Sequence, residues 1–114
     1  LFRSHNWCLN TYKNGKGDDK TVCASLYSPK SGILLEVFTN EPGIQVYTGN
    51  FQGTGIACKH GIKYPKHVSV CFESQKYPDS PTKIAQGVKD WTDATLKPGE
   101  KYYSHLAYKF SVKK

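Results

Sequence analysis

The sequence predicts an all-β protein. Short runs alternate apolar and polar residues at the period of two that a pleated strand imposes. Between the runs stand clusters of Gly, Pro, Asn and Asp, the residues that close turns. No segment sustains the 3.6-residue period of an amphipathic helix.

Taken in order, residues 6–12 form a first run, ended by the turn signal Asn14-Gly15-Lys16-Gly17-Asp18-Asp19. A second run, 21–27, stops at Ser28-Pro29-Lys30-Ser31-Gly32. Ile33 to Thr39 is rich in branched and aromatic residues and is the most strand-like early segment. Asn40-Glu41-Pro42-Gly43 turns the chain into the next strand, Ile44 to Thr48. Residues 49–65 hold four glycines and little periodicity and read as a long loop. The strand predicted over 67–75 has two unlike faces. Val68, Val70 and Phe72 point one way, and His67, Ser69, Cys71, Glu73 and Gln75 the other. Residues 77–99, broken by Pro78, Pro81 and Pro98, read as irregular. A last strand is expected within 102–112, with Leu106, Tyr108, Phe110 and Val112 sharing a face.

The bulk properties bound the function. A chain of 114 residues is one domain, burying roughly two-thirds of its unfolded surface. The net charge of +7 would suit nucleic acid, but the lysines are scattered through turns such as 13–20 and 59–66, so no nucleic-acid partner is expected. No apolar run approaches the ~20 residues of a membrane span, so no membrane partner is expected either. The start, Leu1-Phe2-Arg3-Ser4-His5-Asn6, has neither an initiator Met nor an apolar leader, and it reads as processed, cut or truncated. Cys8, Cys23, Cys58 and Cys71 form no CxxC pair and no zinc spacing. With no Asn-x-Ser/Thr sequon present, free and mostly buried thiols in a cytoplasmic protein are expected.

Glu73 is the strongest candidate for chemistry, being a carboxylate on the polar face of a strand whose other face is apolar. Partial burial there would raise its pKa toward the range in which a general base works best. The same alternation also describes a solvated Glu on an ordinary amphipathic strand. Gln45 alternates away from Ile44 and Val46, and its amide could both donate to and accept from a hydroxyl. His5, His60, His67 and His105 have no fixed partner spacing. The eight Tyr and two Trp could stack on sugar rings, though such residues more often fill cores.

Three motifs, in register, carry a resemblance. Residues 32–51, Gly32 through Leu35-Glu36-Val37-Phe38-Thr39 to Pro42-Gly43-Ile44-Gln45-Val46-Tyr47-Thr48-Gly49-Asn50-Phe51, resemble the pattern G-x-x-L-E-V-x-T-x-x-P-G-x-Q-F-Y-T-G-N-F. Then His67-Val68-Ser69-Val70-Cys71-Phe72-Glu73-Ser74-Gln75 and Tyr77-Pro78-Asp79-Ser80 resemble H-x-G-x-C-L-E-T-Q followed by F-P-D-S. Leu96-Lys97-Pro98-Gly99-Glu100-Lys101-Tyr102, with Tyr108-Lys109-Phe110-Ser111-Val112, is similar to L-x-P-G-E-x-Y … F-K-F-S-V. The family is that of the aldose 1-epimerases, or mutarotases, and the match runs from about residue 4 to residue 112.

The resemblance implies an antiparallel β-sandwich, with residues 1–114 forming the C-terminal portion of a larger mutarotase-like domain. It implies interconversion of the α and β anomers of an aldohexose such as galactose or glucose, with no cofactor and no metal. It makes Glu73 the catalytic base and Gln45 a sugar contact. Arg3-Ser4-His5-Asn6-Trp7 matches the family's Y-D-H-N-F, so Ser4 replaces a sugar-binding aspartate and loses its charge-assisted hydrogen bond; Ser4 and His5 complete the expected substrate-binding set. The family's acid histidine belongs to an N-terminal part outside this sequence. A missing N-terminal portion, or self-association, is therefore the expected partner. A non-catalytic carbohydrate-binding module and a basic scaffold protein are the competing readings.

Overall fold

The branched and aromatic run starting at Ile33 does form a strand, and the rest of the fold is arranged around it. A computed structural model describes residues 4–53 and 55–113. Among the described residues its strands are β1 (His5–Cys8), β2 (Tyr12–Lys13), β3 (Lys16–Gly17), β4 (Ala24–Tyr27), β5 (Ile33–Thr39), β6 (Gly43–Tyr47), β7 (Cys71–Gln75) and β8 (Leu106–Val112), with one α-helix, α1 (Ser80–Ala85), and a single 3-10 turn at Lys59–Gly61. All pairings are antiparallel. One sheet has the order β1-β6-β7, a second β4-β5-β8, and β2 and β3 form a small hairpin. This is the expected all-β class, built of antiparallel sheets consistent with a sandwich.

The hairpin turn is Asn14-Gly15, both residues at positive φ (51° and 77°), as a two-residue turn between twisted strands requires. β5 and β6 are the central strands of the two larger sheets, joined by the corner Asn40-Glu41-Pro42. Glu41 and Pro42 of that corner are buried and Asn40 is half-buried. Thr39 donates its hydroxyl to the His105 carbonyl at 2.8 Å, and the same Oγ1 accepts from the Glu41 N–H. Lys76, directly after β7, forms an ion pair with buried Glu41 at 3.3 Å. The tail of β7 is thereby tied to the head of β6.

Leu9, Val37 and Ile44 are the buried core, with Cys23, Ala24, Leu35, Val46 and Phe72 packed against them. The sheets meet through β5 on one side and through β6 and β7 on the other. Farther along the same face of β8, Phe110 and Val112 are each 69% exposed. The Cα radius of gyration of 17.1 Å exceeds the roughly 13 Å of a compact domain of this length. The segment thus covers only part of its own apolar surface.

Three expectations are corrected. The strand predicted over 67–75 begins only at Cys71, because His67 stands at φ 60° in a turn whose N–H is taken by the Gly49 carbonyl. The stretch read as irregular contains α1, too short to show a helical period, with Pro81 in its first turn where no N–H is missed. The four thiols are free, but none is buried: Cys8 and Cys58 are exposed and Cys23 and Cys71 half-buried.

Candidate functional site

Period-two alternation on β1, β6 and β7 sorts their side chains onto two faces. The register sets Asn6 opposite Gln45, and Gln45 opposite Glu73. Cys8, Gly43 and Gln75 form the next row on that face to one side, and Tyr47 pairs with Cys71 in the row on the other side. The other face carries Ile44, Val46 and Phe72, which pack into the core. One three-stranded sheet therefore has an apolar inner side and a polar outer side.

On the polar side lies a cleft of about 430 Å³ lined by Ser4, Tyr47, Phe51 and Glu73. Glu73 is exposed there, and it is the charged group among the lining residues. The Tyr47 hydroxyl accepts the Phe51 N–H at 2.9 Å, which folds the start of the 48–70 connection back as one wall. The base of that connection is pinned by Ser69 donating to Gln52 Oε1 at 3.1 Å.

Behind Ser4 runs a chain of side-chain amides. Gln45 Nε2 donates to Ser4 Oγ at 2.7 Å, and Gln45 Oε1 accepts from Gln75 Nε2 at 3.2 Å. Gln75 Nε2 also donates to Asn6 Oδ1 at 3.3 Å. Gly43 makes room for this: a Cβ there would lie 2.8 Å from Asn6 Oδ1 and 3.0 Å from the Tyr77 ring. Nearby, burial raises the Tyr108 phenol above its usual range, with the charges of Cys71, Cys23 and Glu73 adding to the effect.

Of the residues expected from sequence, the structure brings together Ser4, Gln45 and Glu73. Ser4 and Glu73 line the cleft, while Gln45 lies between them and touches Ser4. His5 is not with them. It pairs with Val46 and so takes the opposite face from Asn6, by the alternation of β1. The other histidines are also elsewhere: His105 Nδ1 is 3.1 Å from Asp19 Oδ2, and His67 Nδ1 is 3.0 Å from the Thr48 carbonyl. Asn6 and the bonding of Gln75 were not anticipated. Counting by two from Ser4 would have put Asn6 on the same face, but nothing local indicates its partner. Among the described residues, no group of three or more His, Cys, Asp or Glu side chains could hold a metal, and no helix is long and apolar enough to cross a membrane.

Comparison with known proteins agrees with the motif pattern. The family model for aldose 1-epimerase matches residues 1–109. The chain is 41% identical over 108 residues to galactose mutarotase of Mus musculus, covering 95% of this chain and 29% of that protein. It is 40% identical over 108 residues to galactose mutarotase of Homo sapiens, with the same coverage of 95% and 29%. To aldose 1-epimerase of Escherichia coli (strain K12) it is 36% identical over 97 residues, 83% of this chain and 26% of that protein. The chain thus spans less than a third of the length of the curated relatives it matches. It belongs to the aldose 1-epimerase family.

Proposed function

We propose that the polar face of the β1-β6-β7 sheet acts on an aldohexose such as galactose or glucose, with Glu73 as the base that interconverts its α and β anomers. The observation that supports this most is the cross-strand pairing of Glu73 with Gln45 beside a cleft that Ser4, Tyr47 and Phe51 help to line. A carboxylate at the mouth of a cleft can reach a ligand while its strand neighbours hold it. In this reading Glu73 takes the proton of the anomeric hydroxyl. The C1–O5 bond breaks, the ring oxygen takes a proton from an acid, and the aldehyde rotates about C1–C2. Reclosure on either face gives either anomer. Electrons and protons balance without a cofactor.

The acid is assigned to a part of the longer protein outside this segment, since among the described residues no histidine lines the cleft. The same reading makes an N-terminal portion, or a second copy, the partner of the uncovered apolar face around Phe110 and Val112. The segment alone then has little or no activity. Free thiols accord with a cytoplasmic setting.

The test is Glu73→Gln in the native protein, followed by polarimetry on freshly dissolved α-D-galactose. The amide keeps the shape but accepts no proton, so the rate should fall roughly 10²–10⁴-fold while galactose binding survives. A rate within twofold of the parent would sink the assignment.

The bond between Ser4 and Gln45, at a place where the family motif has an aspartate, favours a second reading, a non-catalytic carbohydrate-binding module. Galactose binding by a native protein that shows no anomerisation at all would decide for it.

A further inference from the structure

A glutamine amide has two ends of nearly the same shape, one donating and one accepting, so its orientation is set by its neighbours. Gln75 Nε2 carries two protons, and each has an acceptor: Asn6 Oδ1 at 3.3 Å and Gln45 Oε1 at 3.2 Å. A donor nitrogen accepts nothing, so Gln45 must turn its oxygen toward Gln75 and its nitrogen toward Ser4, 2.7 Å away. Ser4 Oγ then receives a proton from Gln45, and the hydroxyl proton of Ser4 is left to point elsewhere. Ser4 and Glu73 both line the cleft.

We propose that Gln75 is a positioning residue that sets the direction of this hydrogen-bond chain, so that Ser4 meets a ligand as an O–H donor. The cleft would then offer a donor at Ser4 and an acceptor at Glu73. That pair suits a polyhydroxyl ligand with one oxygen accepting at Ser4 and one hydroxyl donating to the carboxylate. The ligand class rests on the sugar reading above. The direction of the chain does not.

Reversing the chain needs three amides to flip together. Gln75→Leu removes the donor that holds Gln45, and Gln75→Glu places an acceptor against Gln45 Oε1 and Asn6 Oδ1. The leucine variant frees Gln45 to turn, and the glutamate variant drives its nitrogen inward. In either case Ser4 loses its fixed donor behind it.

Side-chain amide NMR on the unliganded native protein tests the direction without any sugar. Both Nε2 protons of Gln75 should exchange slowly, and Gln45 should exchange roughly 2–12-fold faster in Gln75→Leu, the range one lost hydrogen bond implies. Fast exchange of the Gln75 amide in the parent protein overturns the proposal even if neither variant folds. Monodeoxy and monodeoxyfluoro D-galactoses then test the donor. A fluorine can still accept from Ser4, so at one ring position the fluoro sugar should bind more tightly than the deoxy sugar. That preference should vanish in Ser4→Ala and in Gln75→Leu, and in Gln75→Leu KM should rise by a larger factor than kcat falls. A preference that persists in Ser4→Ala overturns the proposal. If galactose does not bind while the amide spectra are as expected, the sugar reading fails and the direction of the chain stands.

Discussion

The phenol of Tyr108, on β8, donates to the Phe72 carbonyl, on β7, at 2.6 Å. β7 is an edge strand of its sheet, and edge carbonyls without a partner invite pairing with another chain. Here a side chain from the other sheet takes one of them. Tyr108→Phe should cost about 0.5–1.5 kcal/mol, the usual net value of one hydrogen bond. Urea unfolding of the native protein checks this, and an unchanged midpoint would show the bond to be incidental.

Lys76 and Glu41 hold the register in which Gly43 faces Gln75. Glu41 is 3% exposed, so removing its partner leaves a buried carboxylate unpaired. Lys76→Ala should destabilise by about 3 kcal/mol, near the lower end for breaking a buried pair because Lys76 keeps some contact with water. The double variant Lys76→Ala with Glu41→Gln should recover most of the loss, read from the same unfolding curves.

Gly43 leaves space that the Asn6 amide and the Tyr77 ring fill. Gly43→Ala puts a methyl among them and should cost about 1–3 kcal/mol, the range for overpacking a well-filled site. Because Asn6 would move, the Gln75 amide should also exchange faster with solvent. A variant as stable as the parent, with Gln75 still protected, would contradict the packing described.

Tyr77 packs edge-on against Trp91, ring centroids 5.5 Å apart. Burial pushes its phenol up from the usual 10 to about 12, with the Cys8 thiol adding to the shift. A raised folded pKa means that the protonated phenol contributes stability that is complete below about pH 10 and lost as pH rises through about 12. Absorbance at 295 nm should show Tyr77 among the last tyrosines to ionise, and Tm should fall across that window. In Tyr77→Phe that part of the fall should be absent.

What was legible in the sequence was local. Branched residues and alternation marked β5 at its observed bounds, Ile33–Thr39. The cluster Asn14 to Asp19 marked a turn, but Lys16–Gly17 within it is the second strand of a hairpin that Asn14-Gly15 closes with two positive φ angles. The alternation around Glu73 showed an apolar and a polar side before any partner strand was known, and the motifs around Gln45 and Glu73 pointed to the family. Local signals failed where a distant contact set the outcome. Alternation extends the β7 strand back to His67, but a bond from the His67 N–H to the Gly49 carbonyl holds that backbone in a turn; α1 is too short to declare a period.

The association of Ser4, Asn6, Gln45 and Gln75 was decided by tertiary structure alone. Alternation assigns each residue to a face of its own strand but does not say which strands become neighbours or in what register. β6 here pairs with β1, from which four strands separate it in chain order, and with β7, reached through the long 48–70 connection, and the bonded residues are 30 to 69 positions apart. The buried corner at Glu41 and the packing of Val37 against Ile44 select that order. The direction of the amide chain follows only once the order exists, because a side-chain amide takes its orientation from whatever lies opposite it.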